Sequence, residues 1–151
     1  MRAVCQRVHW AEVEVAGEIV GRIGAGLLVY IGVGRGDRTV HAEKLAEKVA
    51  GLRIFADDDD KLNRSVQDVG GDVLVIPNFT LMADARKGRR PAFSDAHGGH
   101  EAHRLFQAFC SAMECAELTV ATGVFGAHMD IRSAADGPVN LLLEIPPPDA
   151  R

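Results

Sequence analysis

Apolar and polar positions along the chain follow two periods. Residues 12–15 alternate, Ala16-Gly17-Glu18 turn, and residues 19–23 resume the extended pattern, which predicts a hairpin preceded by a strand at residues 4–8. After the Gly24-Ala25-Gly26 turn, residues 27–33 are an unbroken apolar run, the pattern of a strand covered on both faces. Gly34, Gly36 and Asp37 break it. Asp37 suits the cap of a helix running to about Gly51, with Val40, Leu45, Val49 and Leu52 near helical spacing. Residues 52–55 and 73–76 predict strands, the second stopped by Pro77, and residues 57–61 a polar turn. Residues 99–115 predict a second helix whose Ala102, Leu105, Phe106, Phe109 and Met113 share one face. Segments 118–122, 128–132 and 139–144 read as strands. With about eight strands, two helices and no sustained βαβ alternation, the fold class is α/β in the α+β sense: a mostly antiparallel curled sheet or β-barrel with two covering helices.

Length and composition narrow the setting. A chain of 151 residues, 47% apolar and 25% charged, fits one domain over residues 1–145 and a flexible Pro-rich tail over residues 146–151. No apolar stretch reaches the roughly 18 residues that a membrane helix needs, and the start lacks the apolar core of a signal peptide. Cys5, Cys110 and Cys115 are an odd, unpatterned set, which suits free thiols in the reducing cytoplasm. The net charge of −4 argues against non-specific nucleic-acid binding. Arg86, Lys87, Arg89 and Arg90 nevertheless crowd into one short, Gly-bearing segment, which suits a localised phosphate contact.

Several chemistries are absent. The chain has no G-x-S-x-G elbow, P-loop or H-E-x-x-H motif, and its paired glycines complete no dinucleotide fingerprint. No cofactor is expected. His97, His100 and His103 are spaced by three, but no carboxylate or thiolate accompanies them, so no metal is expected either. Pro77-Asn78-Phe79-Thr80-Leu81 is more suggestive, because it emerges from a buried strand at a sheet end. Asn78 and Thr80 offer polar side chains there, and the amides of Phe79 and Thr80 are candidates for an oxyanion hole. The plain alternative is a strand exit with Phe79 and Leu81 in the core. Asp136-Gly137-Pro138 reads as a hairpin turn, or else as an exposed pair of fixed carbonyls.

Short motifs then converge on one family. Gln6-Arg7-Val8, Gly26-Leu27-Leu28-Val29, Leu52-Arg53-Ile54-Phe55, Phe79-Thr80-Leu81, Arg86-Lys87-Gly88-Arg89-Arg90-Pro91, Gly126-Ala127-His128-Met129 and Asp136-Gly137-Pro138-Val139 occur in this order. Over about residues 1–143 the chain resembles the D-aminoacyl-tRNA deacylases. The resemblance implies a homodimer that hydrolyses the ester of D-aminoacyl-tRNA, and of glycyl-tRNA mischarged on alanine tRNA, in chiral proofreading. It implies that Asn78, Phe79 and Thr80 line the catalytic pocket for the aminoacyl ester and terminal adenosine. Gly137 and Pro138 would reach the partner's site and reject L-amino acids, Arg7 would brace them, and Met129 would pack nearby. Arg86, Lys87, Arg89 and Arg90 would meet tRNA phosphates.

The chain departs from the family pattern at three places. Pro77-Asn78 stands where Ser-Gln is usual, Asn140 where the residue after Gly-Pro-Val is usually Thr, and Ala135 where Asn usually precedes Asp-Gly-Pro. A sister group that removes L-alanine from threonine tRNA also carries Pro at the first position. The alternatives are therefore a relaxed-chirality deacylase acting on L-alanyl-tRNA and a non-catalytic tRNA-binding homologue.

Overall fold

The computed structural model describes residues 1–86 and 88–147; Lys87 and residues 148–151 of the tail lie outside the described residues. Its spine is β1, Arg2–Val15, longer than the two strands expected from the sequence. Exposed His9 and Trp10 interrupt the apolar pattern, yet pairing continues because β1 changes partner there. Residues 2–8 pair with β3 (Gly26–Gly32), and residues 11–15 with β2 (Glu18–Ile23). The opposite edge of β1 is filled by β8, Asp130–Glu144. These three pairings are antiparallel, whereas β3 pairs in parallel with β6 (Asp72–Pro77), and β6 with β7 (Val120–Thr122). The expected strand at residues 52–55 is reduced to β4, Phe55–Ala56, which pairs with β5, Leu62–Arg64.

The unbroken apolar runs have the expected cause. In β3 and β6 the residues Leu27, Val29, Ile31, Val73 and Val75 face one core, and Leu28, Leu74 and Ile76 face the other. Helices α1 (Thr39–Ala50) and α2 (Gly99–Cys115) cover the first of these faces. All five residues named for the α2 face are buried. The second face curls inward until β2 approaches β7. A Cβ on Gly21 would stand 2.9 Å from the Thr122 carbonyl oxygen, so only glycine permits that near closure.

Two sequence expectations at α1 fail. The N-cap is Arg38, whose amide donates to His41 Nδ1 at 3.0 Å, and Val40 is exposed. Asp37 is drawn inside instead. It accepts hydrogen bonds from the Met1 ammonium at 2.7 Å and the Gly34 amide at 2.6 Å. An ammonium demands a buried anion more strongly than a helix end demands a cap.

Candidate functional site

The end of β6 builds the first part of the site. Pro77 lies opposite Ile31, and the Asn78 amide extends the ladder by donating to the Ile31 carbonyl at 2.8 Å. The chain then tightens into a 3-10 turn, Phe79–Met82. Asn78 Oδ1 accepts from the Thr80 amide at 3.1 Å and from Thr80 Oγ1 at 2.5 Å. This corrects the expected oxyanion hole, because the Thr80 amide already has an acceptor. The Phe79 amide has none among the described residues. The Thr80 hydroxyl, having donated to Asn78, keeps its lone pairs as acceptors. Phe79 is 58% exposed, so it is not the core residue of a plain strand exit. Arg2 anchors the far end of the turn by donating from Nη1 to the Leu81 carbonyl at 3.0 Å.

Two depressions meet at this turn and share Pro77, Asn78, Phe79 and Gly126. One, of about 430 Å³, is lined also by Tyr30, Thr80, His128 and Met129. The other, of about 280 Å³, runs between β3 and α2 past His97, Ala102, Phe106 and Phe125. Among the described residues, no serine, cysteine or carboxylate lines either depression. Burial raises the Tyr30 phenol above its ordinary value, which keeps it protonated as a hydrogen-bonding group. Burial also pushes the Cys5 and Cys110 thiols up to about 12, so neither is a ready nucleophile.

Gly137 and Pro138 do not form the hairpin turn expected from composition. They lie within β8, in a bulge. Gln6 pairs with Asn140 and Val8 with Ala135, so residues 136–139 stand opposite Arg7 alone. The Gly137–Pro138 peptide is cis, and both residues are exposed. Gly137 has a φ of +129°, and a Cβ there would meet the Val139 amide nitrogen at 2.8 Å. Arg7, whose side chain is 13% exposed, fills the gap in the ladder. Its Nε meets the Asp136 carboxylate at 3.1 Å and Nη1 donates to the Ile54 carbonyl at 2.5 Å.

Within one chain these two parts are separate. The strand order β8, β1, β3, β6 and an offset of about five residues place Gly137–Pro138 on the order of 20 Å from the Asn78 turn. Met129 belongs to the turn side, lining the larger depression with Thr80. Of the basic run, Arg86 is tied to Asp84 at 2.8 Å, and this guanidinium holds the Asp84 carboxyl down at about 2. Arg89 and Arg90 are exposed and form no ion pair among the described residues. Lys87 lies outside the described residues.

The three histidines do not converge. His97 lines the smaller depression, and the His103 ring stacks on Phe125 with centroids 4.8 Å apart. Among the described residues no cluster of three His, Cys, Asp or Glu side chains could hold a metal ion. Sequence reasoning did not single out Tyr30, His128 or Phe125 as lining residues. The motif around Gly126-Ala127-His128 was the available signal, but its place beside Pro77 depends on the β6–β7 pairing.

The model of the family described as D-Tyr-tRNA(Tyr) deacylase matches residues 4–144. A protein named D-aminoacyl-tRNA deacylase from Alkaliphilus metalliredigens is 53% identical over 144 residues, covering 95% of this chain and 97% of the relative. Another of that name from Paracoccus denitrificans is 51% identical with the same coverage. A solved structure titled "c-Myc DNA Unwinding Element Binding Protein" superposes with a TM-score of 0.91 at 35% identity, over 97% of this chain and 99% of that one. One titled "Structural Analysis of a probable eukaryotic D-amino acid tRNA deacylase" shares the fold with a TM-score of 0.82 at 19% identity, over 95% and 98%. No helix among the described residues is long and apolar enough to cross a membrane.

Proposed function

As the chain belongs to the D-Tyr-tRNA(Tyr) deacylase family, whose members hydrolyse the aminoacyl-tRNA ester, we propose that it is a homodimeric D-aminoacyl-tRNA deacylase with sites built from both subunits. The observation that carries this reading is the separation of the Asn78 turn from an exposed Gly137–Pro138 bulge in the same chain. A wall at Gly137–Pro138 can serve a pocket at Thr80 only if a second copy supplies it.

The terminal adenosine occupies the smaller, aromatic-walled depression, and the aminoacyl group the larger one beside Thr80. Water adds to the ester carbonyl carbon. The Phe79 amide stabilises the oxyanion, and Asn78, by clamping Thr80, fixes the turn that aims it. The ribose oxygen leaves with a proton, and its neighbouring hydroxyl assists the transfer. An aminoacyl ester is activated already, so no side-chain nucleophile is required. The partner's Gly137 and Pro138 carbonyls reject an L side chain by steric exclusion. Glycine has no side chain to reject, so glycyl-tRNA mischarged on alanine tRNA is a substrate as well. The three free cysteines suit work in the cytoplasm.

The test is deacylation of matched D-Tyr-, L-Tyr-, Gly- and L-Ala-tRNA. Rapid loss of the D-tyrosyl and glycyl esters with both L esters spared is the expected result. Cleavage of L-Ala-tRNA would instead support the relaxed reading that Pro77 motivates. Binding without cleavage of any ester would leave a tRNA-binding protein.

A further inference from the structure

Phe79 and Phe93 form an aromatic pair at the surface, with ring centroids 5.1 Å apart and planes tilted by 59°. Phe93 is 40% exposed, and phenylalanine is ordinarily driven inside. Its position is nevertheless built. The preceding Ala92 exchanges two backbone hydrogen bonds of 2.8 Å with Asp84, and the Phe93 carbonyl accepts from the Ala96 amide at 3.1 Å. Ala96 is bridged to Gly34, and the His97 amide donates to the Val33 carbonyl at 2.9 Å. The whole segment is thus strapped to the end of β3. Phe79 lines both depressions while Phe93 lines neither, so the pair continues the site wall beyond them. Arg89 and Arg90 lie on the same strapped loop.

We propose that the Phe93 ring, propped by the tilted Phe79 ring, is the stacking surface for the base of the nucleotide preceding the terminal adenosine of the substrate tRNA, with Arg89 and Arg90 on the adjoining phosphates. This rests on the deacylase reading. The unpaired 3′ end of a tRNA presents bases with free faces. Stacking accepts any base, which suits an enzyme that handles many tRNAs, whereas phosphate contacts alone hold the strand without setting its direction. An exposed aromatic pair on a loop that also carries two exposed cations favours a nucleic-acid strand over an apolar protein partner.

The test compares D-tyrosyl-tRNA with D-tyrosyl-adenosine, which lacks the preceding nucleotide. Phe93→Ala should raise KM for the tRNA about tenfold with kcat unchanged. The nucleoside ester should be cleaved as by the wild type, and Phe93→Trp should restore the tRNA KM. A tRNA carrying 2-aminopurine at the penultimate position should lose fluorescence on binding the wild type but not Phe93→Ala. Equal losses on both substrates, or none on the tRNA, would overturn the platform. So would dissociation of a dimer by Phe93→Ala, which would assign the pair to a second copy of the chain. If the wild type cleaves neither ester, the deacylase reading fails while the 2-aminopurine signal still decides the platform.

Discussion

The Arg7 guanidinium meets the Asp136 carboxylate at 3.1 Å across the break in the β1–β8 ladder. The same side chain reaches the Ile54 carbonyl. It therefore ties the bulge carrying Gly137 and Pro138 to the segment before β4. Lysine offers one compact charge in place of this fork and cannot hold both acceptors in the same geometry.

Arg7→Lys and Arg7→Ala should each lower kcat/KM for D-Tyr-tRNA by about tenfold or more, because the loss of one charge-assisted contact is worth about 1.5–3 kcal/mol. A sharper test uses complementation. Asn78→Ala alone should be slow, and Gly137→Ala alone, its wall distorted by a Cβ 2.8 Å from the Val139 nitrogen, should cleave L-Tyr-tRNA as well. Chains of the two kinds unfolded and refolded together should gain fast, D-selective sites, since a mixed dimer assembles one intact site. Absence of recovery would overturn the reading in which one site draws on both subunits.

At the turn itself, Asn78→Ala removes the acceptor of two hydrogen bonds from Thr80. The expected outcome is a fall in kcat of about 10–100-fold, smaller than loss of an oxyanion donor itself. KM should change little. Thr80→Ser should keep most activity and Thr80→Val should lose it, read by single-turnover deacylation.

Arg89 and Arg90 are the exposed cations of the loop without an ion pair among the described residues. Replacing each by alanine should weaken tRNA binding alike across tRNA sequences. Each replacement should also reduce the slope of log affinity against log salt by about 1. Arg86→Ala should alter the slope less, because Asp84 already neutralises that charge.

His41 supplies a pH test. Its imidazole is buried, and desolvation lowers its pKa below the ordinary value despite Asp37 Oδ1 at 3.5 Å. The unfolded chain therefore takes up a proton first as pH falls. The stability due to neutral His41 is complete above about 6.5, the unfolded value, and is lost as pH falls towards the lower folded value. Thermal unfolding from pH 8 to pH 5 should show a falling Tm for the wild type and a flatter profile for His41→Gln.

Local pattern determined much of this protein. The two-faced burial of β3 and β6 follows from their unbroken apolar runs, because a strand alternates its side chains between faces and both faces here are covered. The buried face of α2 follows from helical spacing in the same way. The motif at Pro77–Leu81 was legible as a strand exit, because polar residues come directly after the buried run, although the ladder to β3 includes Pro77 and runs on to the Asn78 amide instead of stopping at the proline. Tertiary structure decided the rest. Asp37 turned inward because a buried ammonium stands beside it, which no local rule encodes. Asp136-Gly137-Pro138 became a bulge in one long strand because Arg7, more than a hundred residues away, fills the gap. The Thr80 amide was withdrawn from the expected oxyanion hole by the Asn78 side chain, and Phe93 met Phe79 only through the strapping of a loop onto β3. Apart from the Asn78–Thr80 contact, which spans two residues, each outcome rests on a contact between positions whose distance is set by folding, and composition and periodicity carry no information about such distances.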